Sequence, residues 1–214
     1  MKKIIVTFLI FLPVITFSQT VDALINSLNT LYINSFEGKI CPSEEVTFII
    51  KGLQHISLSK EGADSLIINK KDIAELIRKL ELFKNSELQR DSAYKPLYSI
   101  YLKFTDIFNN YNINNLYNLP KKKIVYLTTS VSCVCTLNLC QKQLANLIKF
   151  TDSNKDEYIL IVEDTWNSSF FKNKYAIGFV PTVIMLDEKN NEKGRFIREE
   201  NIDGKLSTWV KNKD

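Results

Sequence analysis

Four cysteines are the residues of this chain most suited to chemistry, and three of them crowd into Ser132-Cys133-Val134-Cys135-Thr136-Leu137-Asn138-Leu139-Cys140. The thiolate is the nucleophile, so reactivity depends on surroundings that lower the thiol pKa. A helix N-terminus does so, because unpaired backbone N–H groups and the positive end of the helix dipole favour the anion. A second cysteine nearby then resolves a mixed disulfide. Three pairings are open. Cys133 with Cys135 closes a small, strained ring across one residue. Cys135 with Cys140 spans more than one helical turn and requires that turn to open. Cys133 with Cys140 needs the loop to fold back. Cys140 lies in line with Leu137 and Leu147, on an apolar helix face where a free cysteine packs as a small hydrophobe. The expected arrangement is Cys133 as attacking thiolate and Cys135 as resolver, with Cys140 structural or an alternative partner. Cys41, ahead of Pro42, is either unpaired or a bridge to Cys140.

A thiolate metal site is the competing chemistry, since soft thiolates select Cu(I). The chain has one histidine, His55, and Cys-x-Cys-x4-Cys with no fourth ligand close by is a poor zinc pattern. No cofactor or metal is expected.

The elements that must position these cysteines are legible after the breaker Pro120-Lys121-Lys122-Lys123. Ile124 to Thr129 is a buried-type strand, Ser130 to Ser132 a turn, and a helix then runs to about Phe150. This puts Cys133 at a helix start. Tyr158 to Val162 is a second apolar strand, Ser168 to Tyr175 a short helix, Thr182 to Leu186 a third strand and Asp187 to Asn191 its turn. Arg195 to Arg198 and a closing helix, Leu206 to Lys211, complete the order β-α-β-α-β-β-α. Continuous apolar strands separated by helices predict a central sheet with helices on both faces. Trp166, Phe170 and Phe171 read as core residues or as the lining of a substrate groove. Lys121 to Lys123 read as a solvated charge run. Residues 19–119 read as a small α+β unit of unknown role. In it, an amphipathic helix carries Leu24, Leu28 and Leu31, and strand-like runs follow at Val46 to Lys51, Ile56 to Ser59 and Leu66 to Ile68. Asn69 then caps a helix bearing Ile73, Leu76, Ile77, Leu80 and Phe83. Tyr98 to Phe108 fits strand and helix equally, and Asn109 to Asn118 is a connection.

The 214 residues are 45% hydrophobic and 24% charged, an ordinary globular composition that excludes wholesale disorder, collagen and coiled coil. The net charge of +4 includes two lysines in the first three residues, so the remainder is nearly neutral and lacks the basic face of a nucleic-acid binder. Lys2 and Lys3 precede an apolar run from Ile4 to Val14, with small residues at Thr16 and Ser18, the pattern of a cleaved secretory signal peptide over 1–18. The run is short for a bilayer span, which needs about 20 residues. The expectation is an exported protein, periplasmic or secreted, with no stable membrane insertion after cleavage. Such compartments permit disulfides.

The order of elements, with a cysteine cluster directly after the first strand, resembles the thioredoxin fold. Lys174-Tyr175-Ala176-Ile177-Gly178-Phe179-Val180-Pro181-Thr182-Val183-Ile184-Met185-Leu186-Asp187 is similar to that family's segment leading into its cis-proline and third strand. The resemblance covers 121–214 and leaves the N-terminal half unexplained. It implies an α/β thioredoxin-like domain over 120–214, a cis Val180-Pro181 bond, and substrate binding in strand fashion at Val180, Pro181 and Thr182. It also implies thiol–disulfide exchange with an extracytoplasmic protein substrate and a partner reductase or oxidase. The periplasmic thioredoxin-like disulfide reductases are the nearest type. The chain departs from the family in its motif: there is no Trp-Cys-x-x-Cys, and the preceding strand lacks the buried acid that many members carry. That departure keeps a second class open, a non-catalytic binding or adaptor protein on the same fold.

The small residues at Thr16 and Ser18 predict processing after Ser18. N-terminal sequencing of exported material should begin at Gln19, whereas a start at Met1 would show a retained anchor.

Overall fold

The structure, a computed structural model, describes residues 17–58, 69–86 and 92–211. The apolar run Ile4 to Val14 and the strand expected at Leu66 to Ile68 lie outside them. The N-terminal half is helical: α1 (Phe17–Phe36), α2 (Ser43–Leu58), α3 (Lys70–Ser86), α4 (Tyr94–Ile107), a short α5 (Asn109–Tyr111) and a π-helical turn over Asn112–Leu116. It is followed by β1 (Lys122–Thr128), α6 (Val134–Ser153), β2 (Tyr158–Asp164), α7 (Phe170–Lys174), β3 (Thr182–Leu186), β4 (Glu192–Ile197) and α8 (Ile202–Lys211).

Every regular element among the described residues of 19–119 is helical, so the α+β reading is corrected there. The strand-like runs at Val46 to Lys51 and Ile56 to Ser59 fall largely in the single helix α2. Its β-branched residues suggest a strand, yet Val46, Ile49, Leu53 and Ile56 are spaced three, four and three apart and are all buried. One apolar stripe at helical spacing, with Glu44 and Glu45 in the first turn, outweighs residue propensity. Tyr98 to Phe108 resolves as helix for the same reason, burying Leu97, Tyr98, Tyr101, Leu102 and Phe104.

After residue 120 the order is β-α-β-α-β-β-α, and the sheet runs β2-β1-β3-β4. β1 pairs parallel with β2, Val125 opposite Ile161, and antiparallel with β3, Val125 opposite Ile184. β4 pairs antiparallel with β3 and forms the second edge. β1 is paired along both edges, and both its faces are buried under packed elements. Ile124 and Tyr126 belong to one core with Cys140, Leu144 and Ile148 of α6, Ile202 and Leu206 of α8, and the apolar faces of α1 to α4. Val125 and Leu127 belong to a smaller core with Phe171, Ile177 and Tyr117. The sheet is thus covered on both faces, thickly on one and thinly on the other. This is an α/β thioredoxin-like arrangement, and the first core runs continuously through the helical half.

Helix α6 is buried over a wide arc, from Cys140, Gln141, Gln143, Leu144 and Ala145 to Leu147 and Ile148, with Asn138 and Lys142 on its exposed stripe, because the sheet, α1 and α8 all pack against it. Lys123 is not the solvated residue its neighbours suggest. It is buried, and its ammonium donates to the Leu119 carbonyl at 2.6 Å.

The shared core predicts that a fragment beginning at Pro120 will not fold by itself, since it would bare the outer face of α6. Circular dichroism on that fragment should show no cooperative melting, against a single transition for the full chain.

Candidate redox site

Cys133 is the N-cap of α6, with φ −64° and ψ 156°, the extended geometry that turns a side chain back over the first helical turn. Its Sγ lies 2.7 Å from Cys135 Sγ and 3.3 Å from Thr136 Oγ1. Cys133 and Cys135 are exposed free thiols, while Thr136 is buried. The Cys135 thiol, then the Thr136 hydroxyl and backbone N–H, lower the Cys133 pKa from 9.0 to about 6. Thr136 stands at the third helical position, whose N–H and side chain meet the cap group in ordinary helix capping. A Cys-x-x-Cys spacing counted from Cys133 would put its second thiol at this same position. The sequence reading missed Thr136, although its place three residues after a cap residue is the signal that would have found it.

Cys140 is fully buried among tyrosines, and the Tyr126 hydroxyl donates to its backbone carbonyl at 2.9 Å. Cys41 is buried too, its thiol 3.7 Å from the Leu31 carbonyl and its pKa pushed up by burial. Both are free thiols, so the Cys41–Cys140 bridge left open by the sequence is not formed.

The loop from Thr128 to Ser132 is held from below. The buried Tyr98 hydroxyl, from α4, donates to the Thr129 carbonyl at 3.0 Å and accepts from the Thr128 hydroxyl at 2.7 Å. Burial raises the Tyr98 pKa far above the usual phenol range, so this group stays neutral. The buried Asp164 carboxylate accepts from the Ser130 N–H at 3.0 Å, the Trp166 N–H at 3.1 Å and the Asn167 amide at 3.0 Å. Thr165 N–H donates to the Thr128 carbonyl at 2.9 Å. β1 itself carries no acid here; the tyrosine and a carboxylate from the adjacent strand occupy the surroundings of its end.

The Val180-Pro181 bond is cis. Leu127 pairs with Thr182, so the register sets Pro181 beside the end of β1 from which the cysteine loop departs. Pro181 and Thr182 are buried and Val180 is half-buried. The Thr182 hydroxyl donates to the Phe179 carbonyl at 2.7 Å, and the Pro181 carbonyl accepts from Arg198 N–H at 2.8 Å. Among the described residues no hydrogen bond engages the backbone of Val180. The aromatic trio divides: Phe171 is core, whereas Trp166 is 66% exposed and Phe170 is 40% exposed. Val131, Val134 and Phe179 are exposed at the same end of the sheet.

Neither a protein-family profile nor a curated protein matches this chain. Among solved structures, the germline-specific thioredoxin Deadhead of Drosophila melanogaster is similar at 14% identity and TM-score 0.40, over 50% of this chain and 94% of that one. The chain's own topology from Lys122 to Lys211, with sheet order β2-β1-β3-β4 and helices on both faces, is that of a thioredoxin-like α/β domain.

Thiol alkylation of Cys133 should follow a titration near pH 6, slow below it and level above it, because the lowered pKa makes thiolate the dominant form only above that point. Thr136→Ala removes a donor to the anion and should move that midpoint upward, read by thiolate absorbance. Tyr98→Phe strips one buried hydroxyl from two partners and should cost about 1–3 kcal/mol in urea unfolding.

Proposed function

We propose that this chain catalyses thiol–disulfide exchange on an extracytoplasmic polypeptide, through Cys133 as nucleophile and Cys135 as resolver. The observation that carries the reading is Cys133 itself: an exposed thiol at a helix N-cap, in contact with a second exposed thiol and with the Thr136 hydroxyl. Burial of Cys133 would have left only an adaptor role. In one exchange cycle, a Cys133 thiolate attacks a substrate disulfide and expels one substrate sulfur as thiolate. Cys135 then attacks Cys133 Sγ, forming the Cys133–Cys135 bond and releasing the second substrate thiolate. The same steps run in reverse when the pair starts oxidised. The unengaged backbone of Val180 offers a donor and an acceptor to an extended segment, in the manner of an added strand. The apolar side chains of Val131, Val134, Trp166 and Phe179 suit a polypeptide better than a small polar disulfide. Export to an oxidising compartment, expected from the leader, would supply a partner reductase or oxidase. No cofactor enters these steps.

Exchange between the protein and a fluorescent mixed-disulfide peptide should vanish in Cys133→Ser and persist in Cys140→Ser. Turnover that survives Cys133→Ser, or is lost in a folded Cys140→Ser variant, would overturn the assignment. A wild-type protein with no exchange in either direction would leave the adaptor reading.

A further inference from the structure

The direction of electron flow follows from how Cys133 and Cys135 are held. One residue separates them, so their disulfide closes a small ring, and strain in a disulfide raises its potential toward the oxidising side. The Thr136 hydroxyl, 3.3 Å from Cys133 Sγ at the N-cap, makes a bond that serves an anion and weakens when the sulfur becomes a neutral disulfide atom. Both sulfurs are exposed, so an incoming low-molecular-weight disulfide reaches either of them. Val131, Val134, Trp166, Phe170 and Phe179 expose apolar surface at the same end of the sheet, which fits a chain whose own apolar side chains are not yet buried.

We propose that the Cys133–Cys135 pair is a disulfide donor to reduced, unfolded polypeptides, a reading that rests on the exchange function above. A substrate thiolate attacks Cys133 Sγ, forms the mixed disulfide, breaks the Cys133–Cys135 bond and expels Cys135, which takes up a proton. A second substrate thiolate attacks the substrate sulfur of the mixed disulfide and expels Cys133 as thiolate. The substrate dithiol loses two electrons and two protons, and the pair gains the electrons. Cys133 is a good leaving group because the Cys135 thiol, 2.7 Å away, and the Thr136 hydroxyl, 3.3 Å away, both favour its anion. The opposite direction would require Cys135 to displace substrate by closing the strained ring. A low-molecular-weight disulfide, such as oxidised glutathione, regenerates the pair and is itself reduced to two thiols.

The test equilibrates the full chain in defined mixtures of reduced and oxidised glutathione, with trapping by alkylation and intact-mass readout. The reference is Cys135→Ser/Thr136→Cys, which restores the longer spacing and removes the hydroxyl. The wild-type pair should be half-oxidised at a [GSH]²/[GSSG] ratio at least tenfold lower than the reference, and Thr136→Ala should lie between them. In a second arm, wild type should accelerate disulfide formation in a reduced, unfolded polypeptide above the glutathione background, and Cys133→Ser should not; this arm does not depend on the variants with altered spacing folding. A half-oxidation ratio at or above the reference, or acceleration of insulin reduction with polypeptide oxidation at background, would overturn the donor role and leave exchange intact. If no Cys133–Cys135 disulfide forms at any ratio, the exchange function itself fails.

Discussion

The end of β1 has to be rigid while the chain leaving it is thrust into solvent, and the rest of the structure is arranged around that demand. A reactive thiol must be exposed, yet its pKa depends on a few ångströms of placement relative to the first turn of a helix. Here the backbone from Thr128 to Ser130 is bonded by Tyr98 from α4, Asp164 from β2 and Thr165 from the loop after it. Each bond is worth on the order of 1 kcal/mol net, but a buried partner left unpaired costs more, so the set holds together. Solvent meets the chain only beyond this anchorage, at Val131 to Cys135.

The helical N-terminal half is the second part of that anchorage. In a bare sheet-and-helix unit, the outer side of α6 would face water. Here α1 covers it, and Tyr32 donates to the Gln141 carbonyl at 3.1 Å while Tyr126 donates from the sheet side to the Cys140 carbonyl at 2.9 Å. The helix behind the cysteines is thus gripped between two layers, and Cys140 is sealed among buried tyrosines as a packing residue. Among the described residues the opposite face of the sheet is covered by α7, the segment after it and the turn before β1, a difference the two core clusters record.

The cysteine pair and Thr136 form one chemical unit. A hydroxyl in the third helical position lies 3.3 Å from the cap sulfur and cannot close a disulfide with it. The second thiol sits one residue earlier, at the exposed edge of the turn. The surroundings of Cys133 are therefore set by two side chains within three residues of it, whereas the floor beneath them is supplied by residues distant in the chain.

Whatever depends on neighbours a few residues apart was legible in the chain before folding. The continuous apolar runs of β1, β2 and β3 mark buried strands, the period of α6 sets Cys140 inward, and the turn before Cys133 puts it at a helix start. The segment from Phe179 to Thr182 marks the proline loop by its local residue order. The same local reasoning failed at Val46 to Lys51, where β-branched residues and a helical stripe pointed to different elements and burial against α1 and α3 decided for the helix. The floor of the site, by contrast, came from packing alone. Tyr98 and Thr128 are 30 residues apart and Ser130 and Asp164 are 34 apart. Lys123 is buried only because the chain closes over it. No periodicity or cap pattern encodes such pairs, because a hydrogen bond between distant residues exists only once the packing of whole helices and strands has brought donor and acceptor within about 3 Å.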